Sequence, residues 1–170
     1  MGSDKCLLQV DGAACIQRVA MTLAEAGLEP IRISVASPEH MEKYGRVLDS
    51  SLQIEWVVDS SPYAGPIEAI LDALTDPFCN DPLQIAPVDV PWLELDLLVD
   101  LERGIGDCKV AMPVCSGRTH PLLALIRPEV ANLVGSSRRP LRDQFRGMDH
   151  VLVEAREEVV RNVNQPSDLE

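Results

Sequence analysis

Hydrophobic positions along this chain switch between a helical and an extended spacing, and the alternation predicts helices interleaved with strands. Cys15, Ile16, Val19, Ala20, Leu23 and Ala26 recur at helical spacing, which predicts a helix over Ala13 to Ala26 that Gly27 stops. Ile31 to Val35 reads as a strand, Pro38 to Tyr44 as a short helix and Gln53 to Val58 as a second strand. Pro66 opens a helix through Leu74. Leu83 to Val88 then reads as a strand ended by Asp89-Val90-Pro91, and Leu93 to Leu101 as a helix. Cys108 to Val114 and Leu122 to Ile126 are further strands, joined by the turn-rich Cys115-Ser116-Gly117-Arg118. Pro128 to Val134 and Pro140 to Phe145 read as short helices before a last strand, His150 to Val153. This order predicts an α/β fold with a doubly wound, mostly parallel sheet covered on both faces.

Such sheets bind ligands beyond the carboxyl ends of their strands. That rule selects the loop before the helix of Cys15, the loop after Val35, Asp59 to Gly65, and Asp89 to Trp92. In Asp59-Ser60-Ser61-Pro62-Tyr63-Ala64-Gly65-Pro66, Gly65 allows close approach of backbone to a ligand at a helix start that favours negative charge. The same residues also suit an ordinary turn. Asp89, between Pro87 and Pro91, could hold magnesium, which needs only one or two protein carboxylates, or could cap the following helix. Asn162 and Asn164 point the same way if their segment is extended, or belong to a polar turn before a terminal helix.

Composition narrows the partners. With 170 residues, 46% hydrophobic and 25% charged, the chain can bury the core of one compact domain. No run reaches the about 18 apolar residues of a membrane span, and no basic-then-apolar leader opens the chain, so a soluble cytoplasmic protein is expected. A formal charge of −12 repels nucleic acid and anionic membranes, which makes local cations informative. The lysines are three, Lys5, Lys43 and Lys109, and Arg138-Arg139 with Arg142 and Arg146 forms the other basic cluster. That cluster could meet an anionic phosphate or an acidic partner, or could form a solvated helix face. The five cysteines lack CxxC spacing and the three histidines lie far apart, so zinc is not expected and the cysteines read as reduced, packed side chains.

Taken in order, Met1-Gly2-Ser3-Asp4-Lys5-Cys6-Leu7-Leu8, Gly65-Pro66-Ile67, Pro87-Val88-Asp89-Val90-Pro91, His120-Pro121-Leu122 and Asn162-Val163-Asn164-Gln165-Pro166 resemble the molybdenum cofactor guanylyltransferase family over nearly the whole chain. The resemblance implies a single nucleotidyltransferase domain over residues 1–170. It implies transfer of GMP from GTP to molybdopterin, which yields the guanine dinucleotide form of the cofactor and pyrophosphate. Matched positions imply Lys5 on the triphosphate, Asp89 on Mg2+, Asp59 in the nucleotide site with Ser34 and Gly65, and Asn162 and Asn164 toward the reacting phosphates or the pterin. A molybdoenzyme maturation factor is a further implied partner.

The family signature is a strand, a Leu-Ala-Gly-Gly-type loop and Arg-Met-Gly-x-Asp-Lys, of which this sequence holds Met1-Gly2-Ser3-Asp4-Lys5. Where the family often continues Gly-Pro-Leu-Ala-Gly, Gly65-Pro66-Ile67-Glu68-Ala69 stands in this chain. A chain begun at Met1 is therefore expected to fold poorly or bind GTP weakly, since unpaired buried groups cost about 1 to 3 kcal/mol each. Either translation starts upstream, the favoured expectation because Lys5, Asp89 and Asn164 are retained, or the chain is a degenerate homologue with a binding or assembly role. Cytidylyl or sugar-phosphate nucleotidyl transfer on the same fold is the enzymatic alternative.

Overall fold

The computed structural model describes residues 4–59, 65–75, 81–134 and 139–169. The chain divides into two compact units, the first built from residues 1–62, 87–95 and 157–170, the second from residues 63–86 and 96–156.

The first unit opens with a single 3-10 turn, Lys5–Leu7, whose amino end is capped by the Asp4 side chain. A hairpin follows, β1 (Gln9–Val10) against β2 (Ala13–Ala14). Its two-residue link, Asp11 (φ 50) and Gly12 (φ 84), takes the left-handed backbone that Asp-Gly favours in tight hairpins. The expected helix from Ala13 therefore starts later: α1 spans Cys15–Glu25, because Ala13 and Ala14 pair with β1. Next come β3 (Ile31–Val35), α2 (Pro38–Gly45) and β4 (Ile54–Val58), with β3 and β4 parallel and in register from Ile31 opposite Ile54 to Val35 opposite Val58. Ala14, Ile16, Val35 and Tyr44 form one buried cluster, against which Leu7, Ile33, Trp56 and Val88 pack. Leu8, Val10, Cys15 and Val163 form a second, with Trp92 against it. The unit is completed by α6 (Glu157–Val160) and a 3-10 turn over Pro166–Leu169.

The second unit contains α3 (Pro66–Leu74), β5 (Leu83–Gln84), β6 (Val110–Cys115), β7 (Arg118–Thr119), β8 (Leu125–Ile126), α5 (Leu141–Arg146) and β9 (His150–Glu154). Of α4 (Leu95–Ile105), all but its first residue belongs to this unit. Its sheet runs β5-β8-β6-β7, with β9 parallel to β6. Val110, Met112, Ala124, Ile126, Val130 and Phe145 are buried within its core.

The fold is α/β as the spacing predicts, and its two longest ladders, β3–β4 and β6–β9, are parallel with five residue pairs each. The pairs of β6 with β7 and β8, and of β5 with β8, are short and antiparallel. Two expected strands are shorter than their apolar runs. The Leu83 to Val88 run pairs only through Gln84, with a last bond from Ile85 N–H to the Ala124 carbonyl at 2.9 Å, and Pro87 lacks the N–H needed to continue. In Leu122 to Ile126, Pro121 starts a 3-10 turn through Leu123 and leaves only Leu125–Ile126 as a paired strand. Pro128 to Asn132 likewise forms 3-10 rather than α structure, and the helix expected from Leu93 instead begins at Leu95 and ends at Ile105, before Gly106 (φ 46).

Candidate functional site

Asp89 sits in a turn of the first unit, where its position is fixed from two sides. The α1 residue Arg18 donates to the Pro91 carbonyl at 2.8 Å, and the Val163 N–H donates to the Asp89 carbonyl at 2.8 Å. Val163 is fully buried, so the second bond ties the carboxyl-terminal segment to this turn and brings its neighbour Asn164 beside Asp89. The Asp89 side chain is only 19% exposed, yet it does not cap a helix, since α4 starts six residues later.

Lys5 approaches the same point from the amino-terminal turn. Its ammonium donates to Asn164 Oδ1 at 2.5 Å and lies 3.4 Å from Asp89 Oδ2. The turn is held by Asp4, whose carboxylate accepts from Cys6 N–H at 3.2 Å, from Lys43 Nζ at 2.6 Å and from Tyr44 Oη at 3.1 Å. Burial pushes the Asp4 carboxyl up, but hydrogen bonds from Lys43 and Tyr44 and the Lys43 charge outweigh it and hold the group below its ordinary value. Burial raises the Cys6 thiol to about 11 and raises the Cys15 thiol as well, so neither is a thiolate nucleophile at neutral pH.

Asn164 is itself anchored. The Asp168 carboxylate accepts from the backbone N–H groups of Asn164 (2.6 Å) and Gln165 (3.0 Å), and these bonds lower its pKa. The alternatives open at Asn162–Gln165 thus combine: the segment is a polar turn before a short helix, and one of its amides meets Lys5. Asn162 is exposed and stands outside this contact set.

A second contact in the same unit joins Ser34 and Asp59. Ser34 Oγ donates to Asp59 Oδ1, and the Asp59 N–H donates to the Val35 carbonyl at 2.9 Å, which extends the β3–β4 pairing one residue past β4. Val35, Val88 and Cys6 share one apolar cluster, so residues adjoining Ser34, Asp89 and Lys5 rest on common packing. Gly65 belongs to the second unit, where it precedes α3 with φ 101 and open space where a Cβ would stand. Residues 60–64 between Asp59 and Gly65, like Met1-Gly2-Ser3, Cys79 and Arg138, lie outside the described residues.

The set Lys5, Asp89 and Asn164 offers an ammonium for phosphate oxygens and two hard oxygen types, carboxylate and amide, for a cation. Among the described residues no group of three or more His, Cys, Asp or Glu could hold a metal by itself. A lone, mostly buried carboxylate fits Mg2+, which takes most of its ligands from water and substrate phosphates. Residues that pattern alone did not select are Arg18, Asp4 and Asp168. Asp168 lies four positions beyond Asn164 and Asp4 one before Lys5, and capping of the two 3-10 turns was the available signal.

Residues 1–158 match the model of the MobA-like NTP transferase domain. The chain belongs to this family. A protein of Opitutus terrae named as a probable molybdenum cofactor guanylyltransferase is 29% identical to this transferase over 171 residues, covering 99% of it and 79% of the relative. Among solved structures, a protein from Mycobacterium sp. strain JC1 superposes with a TM-score of 0.73 at 11% identity, over 96% of this chain and 83% of the other. The 2-C-methyl-D-erythritol 4-phosphate cytidylyltransferase of Thermus thermophilus gives a TM-score of 0.66 at 16% identity, over 99% of this chain and 91% of the other. At such identities the structures share the fold, which is that of nucleotidyltransferases. No helix among the described residues is long and apolar enough to cross a membrane.

Proposed function

We propose that this transferase moves the GMP unit of GTP onto the phosphate of molybdopterin, in the cytoplasm, with Mg2+ as cofactor and with the whole chain acting as one catalytic domain. The observation that carries this reading is the convergence of Lys5, Asp89 and Asn164, residues 159 positions apart at the extremes, in a chain of this family. The name of the Opitutus terrae relative favours molybdopterin and GTP among the substrates open to such a family.

In the reaction an oxygen of the molybdopterin phosphate bonds to the α-phosphorus of GTP, the bond from that phosphorus to the β-phosphate oxygen breaks, and pyrophosphate leaves. No protein nucleophile takes part. Lys5 binds the triphosphate and offsets charge that builds on its oxygens. Asn164 orients the Lys5 ammonium, and Asn162, exposed two residues earlier, is free to meet the pterin substrate. Asp89 would hold Mg2+, which would supply polarisation of phosphoryl oxygens and alignment of the phosphates. Asp59, oriented by Ser34, accepts from the N–H groups of guanine.

Turnover with GTP, CTP and UTP in separate reactions with molybdopterin and Mg2+, with products identified by mass, tests the proposal. The guanine dinucleotide and pyrophosphate should form at least tenfold faster than any other product. Formation of the cytosine dinucleotide alone, or of no dinucleotide, would overturn it.

A further inference from the structure

The Asp89 turn and the carboxyl-terminal segment of the first unit are joined by a ring contact as well as by a backbone bond. The Val163 N–H donates to the Asp89 carbonyl at 2.8 Å. Further along the turn, the Arg161 guanidinium lies 4.0 Å from the centroid of the Trp92 ring. That is well inside the about 6 Å over which an aromatic face attracts a cation, and a planar guanidinium stacks there as an ammonium does not.

The ring is itself fixed. Trp92 is partly buried against Leu8, Val10, Cys15 and Val163. On either side of it the turn is held to α1, by Arg18 on the Pro91 carbonyl at 2.8 Å and by Thr22 Oγ1 on the Leu93 carbonyl at 3.2 Å. Leu8 closes the 3-10 turn that carries Lys5, and Val163 adjoins Asn164, so one apolar cluster roots both sides of the Lys5–Asn164 contact. Arg161 is exposed, between the buried Val160 and Val163, and reaches this cluster through the face of Trp92. The backbone N–H groups of Asn164 and Gln165 lower the Asp168 carboxyl, and the Arg161 charge adds to their effect, so the arginine also acts on the carboxylate that anchors Asn164.

We propose that Arg161, stacked on Trp92, is a positioning residue that clamps the carboxyl-terminal segment onto the Asp89 turn and thereby holds Asn164 against the Lys5 ammonium. The clamp is a property of the fold, while its effect on the nucleotide rests on the guanylyl transfer proposed above. An open clamp leaves Lys5 without its amide partner, and a nucleotide that binds only the closed form then binds more weakly in proportion to the closed fraction. Saturating nucleotide draws the molecules back to the closed form, so the loss falls on KM rather than kcat. A residue in contact with the transferring phosphate would lower kcat instead.

Amide hydrogen exchange of the full chain, followed by NMR, tests the clamp, and steady-state turnover of GTP with molybdopterin and Mg2+ tests its consequence. In Arg161→Gln and in Trp92→Leu the Val163 amide should exchange at least about tenfold faster than in wild type, with the amides of β6 unchanged. KM for GTP should rise about fivefold with kcat within about twofold of wild type. Trp92→Phe, which keeps an aromatic face, should recover most of the loss. The double variant Arg161→Gln/Trp92→Leu should lose no more than the worse single variant, and Arg103→Gln, which removes an exposed arginine from α4, should match wild type. Unchanged Val163 exchange in Arg161→Gln overturns the proposal, as does equal acceleration across β6, which would report general destabilisation. So does faster Val163 exchange with KM unchanged, or a loss confined to kcat, which would place Arg161 on the substrate. If wild type forms no dinucleotide from GTP, the transfer reading falls, and the exchange rates still decide the clamp.

Discussion

Lys5 has two oxygen partners, the amide of Asn164 and the carboxylate of Asp89, and the quality of that contact rests on residues that touch neither substrate nor metal. Asp168 is one, because its carboxylate fixes the Asn164 backbone. Asp168→Ala should reduce kcat/KM for GTP about tenfold with little change in melting temperature, and Asp168→Asn, whose amide oxygen still accepts, should recover part of it. Asp4 is another. Its carboxyl lies below the ordinary value of 3.8, so the stability that it contributes is complete above about pH 4 and fades as pH falls through the lower folded value. Asp4→Ala should cost about 1 kcal/mol at pH 7, in line with loss of a cap, and the gap to wild type should narrow below pH 3.8 in urea titrations. Lys5, Asp89 and Asn164 were legible as candidates because they fall in ordered motifs. Their contact was not legible, since it depends on the Val163 to Asp89 backbone bond, which no local spacing encodes. Asn162 shows the limit of the same reading: an extended segment would aim both amides one way, but the turn capped by Asp168 turns only Asn164 to Lys5.

Among the elements, strands were readable where an apolar run met no proline, as at Ile31–Val35, which pairs over its full length. They were overextended where proline interrupts pairing, as at Pro87 and Pro121. The β1–β2 hairpin carried a short-range signal, Asp11-Gly12, that the helical spacing after it masked. At Gly12 the backbone has φ 84, and no atom lies within 4 Å of an added Cβ, so a side chain there suffers backbone strain rather than collision. Gly12→Val should therefore cost about 1 to 3 kcal/mol in chemical denaturation. Phe145 of α5 is fully buried in the core of the second unit, and Phe145→Ala should cost about 3 to 5 kcal/mol by the same measurement.

For the whole molecule, a MobA-like transferase of net charge −12 must receive a polyanionic nucleotide against its own field. Under the proposed mechanism, local cations and Mg2+ offset that repulsion. GTP with Mg2+ at 100 times its dissociation constant should stabilise the protein by about 2.7 kcal/mol, seen as a rise in melting temperature. The mechanism stands or falls on Asp89 and Lys5 acting together on a magnesium-bound nucleotide. Pyrophosphate release from GTP in the presence of molybdopterin and Mg2+, compared among wild type, Asp89→Asn and Lys5→Gln, probes that joint action without intermediaries. Losses of about 100-fold or more are expected in both variants, with melting temperatures close to wild type. Wild-type turnover in Asp89→Asn would refute the mechanism.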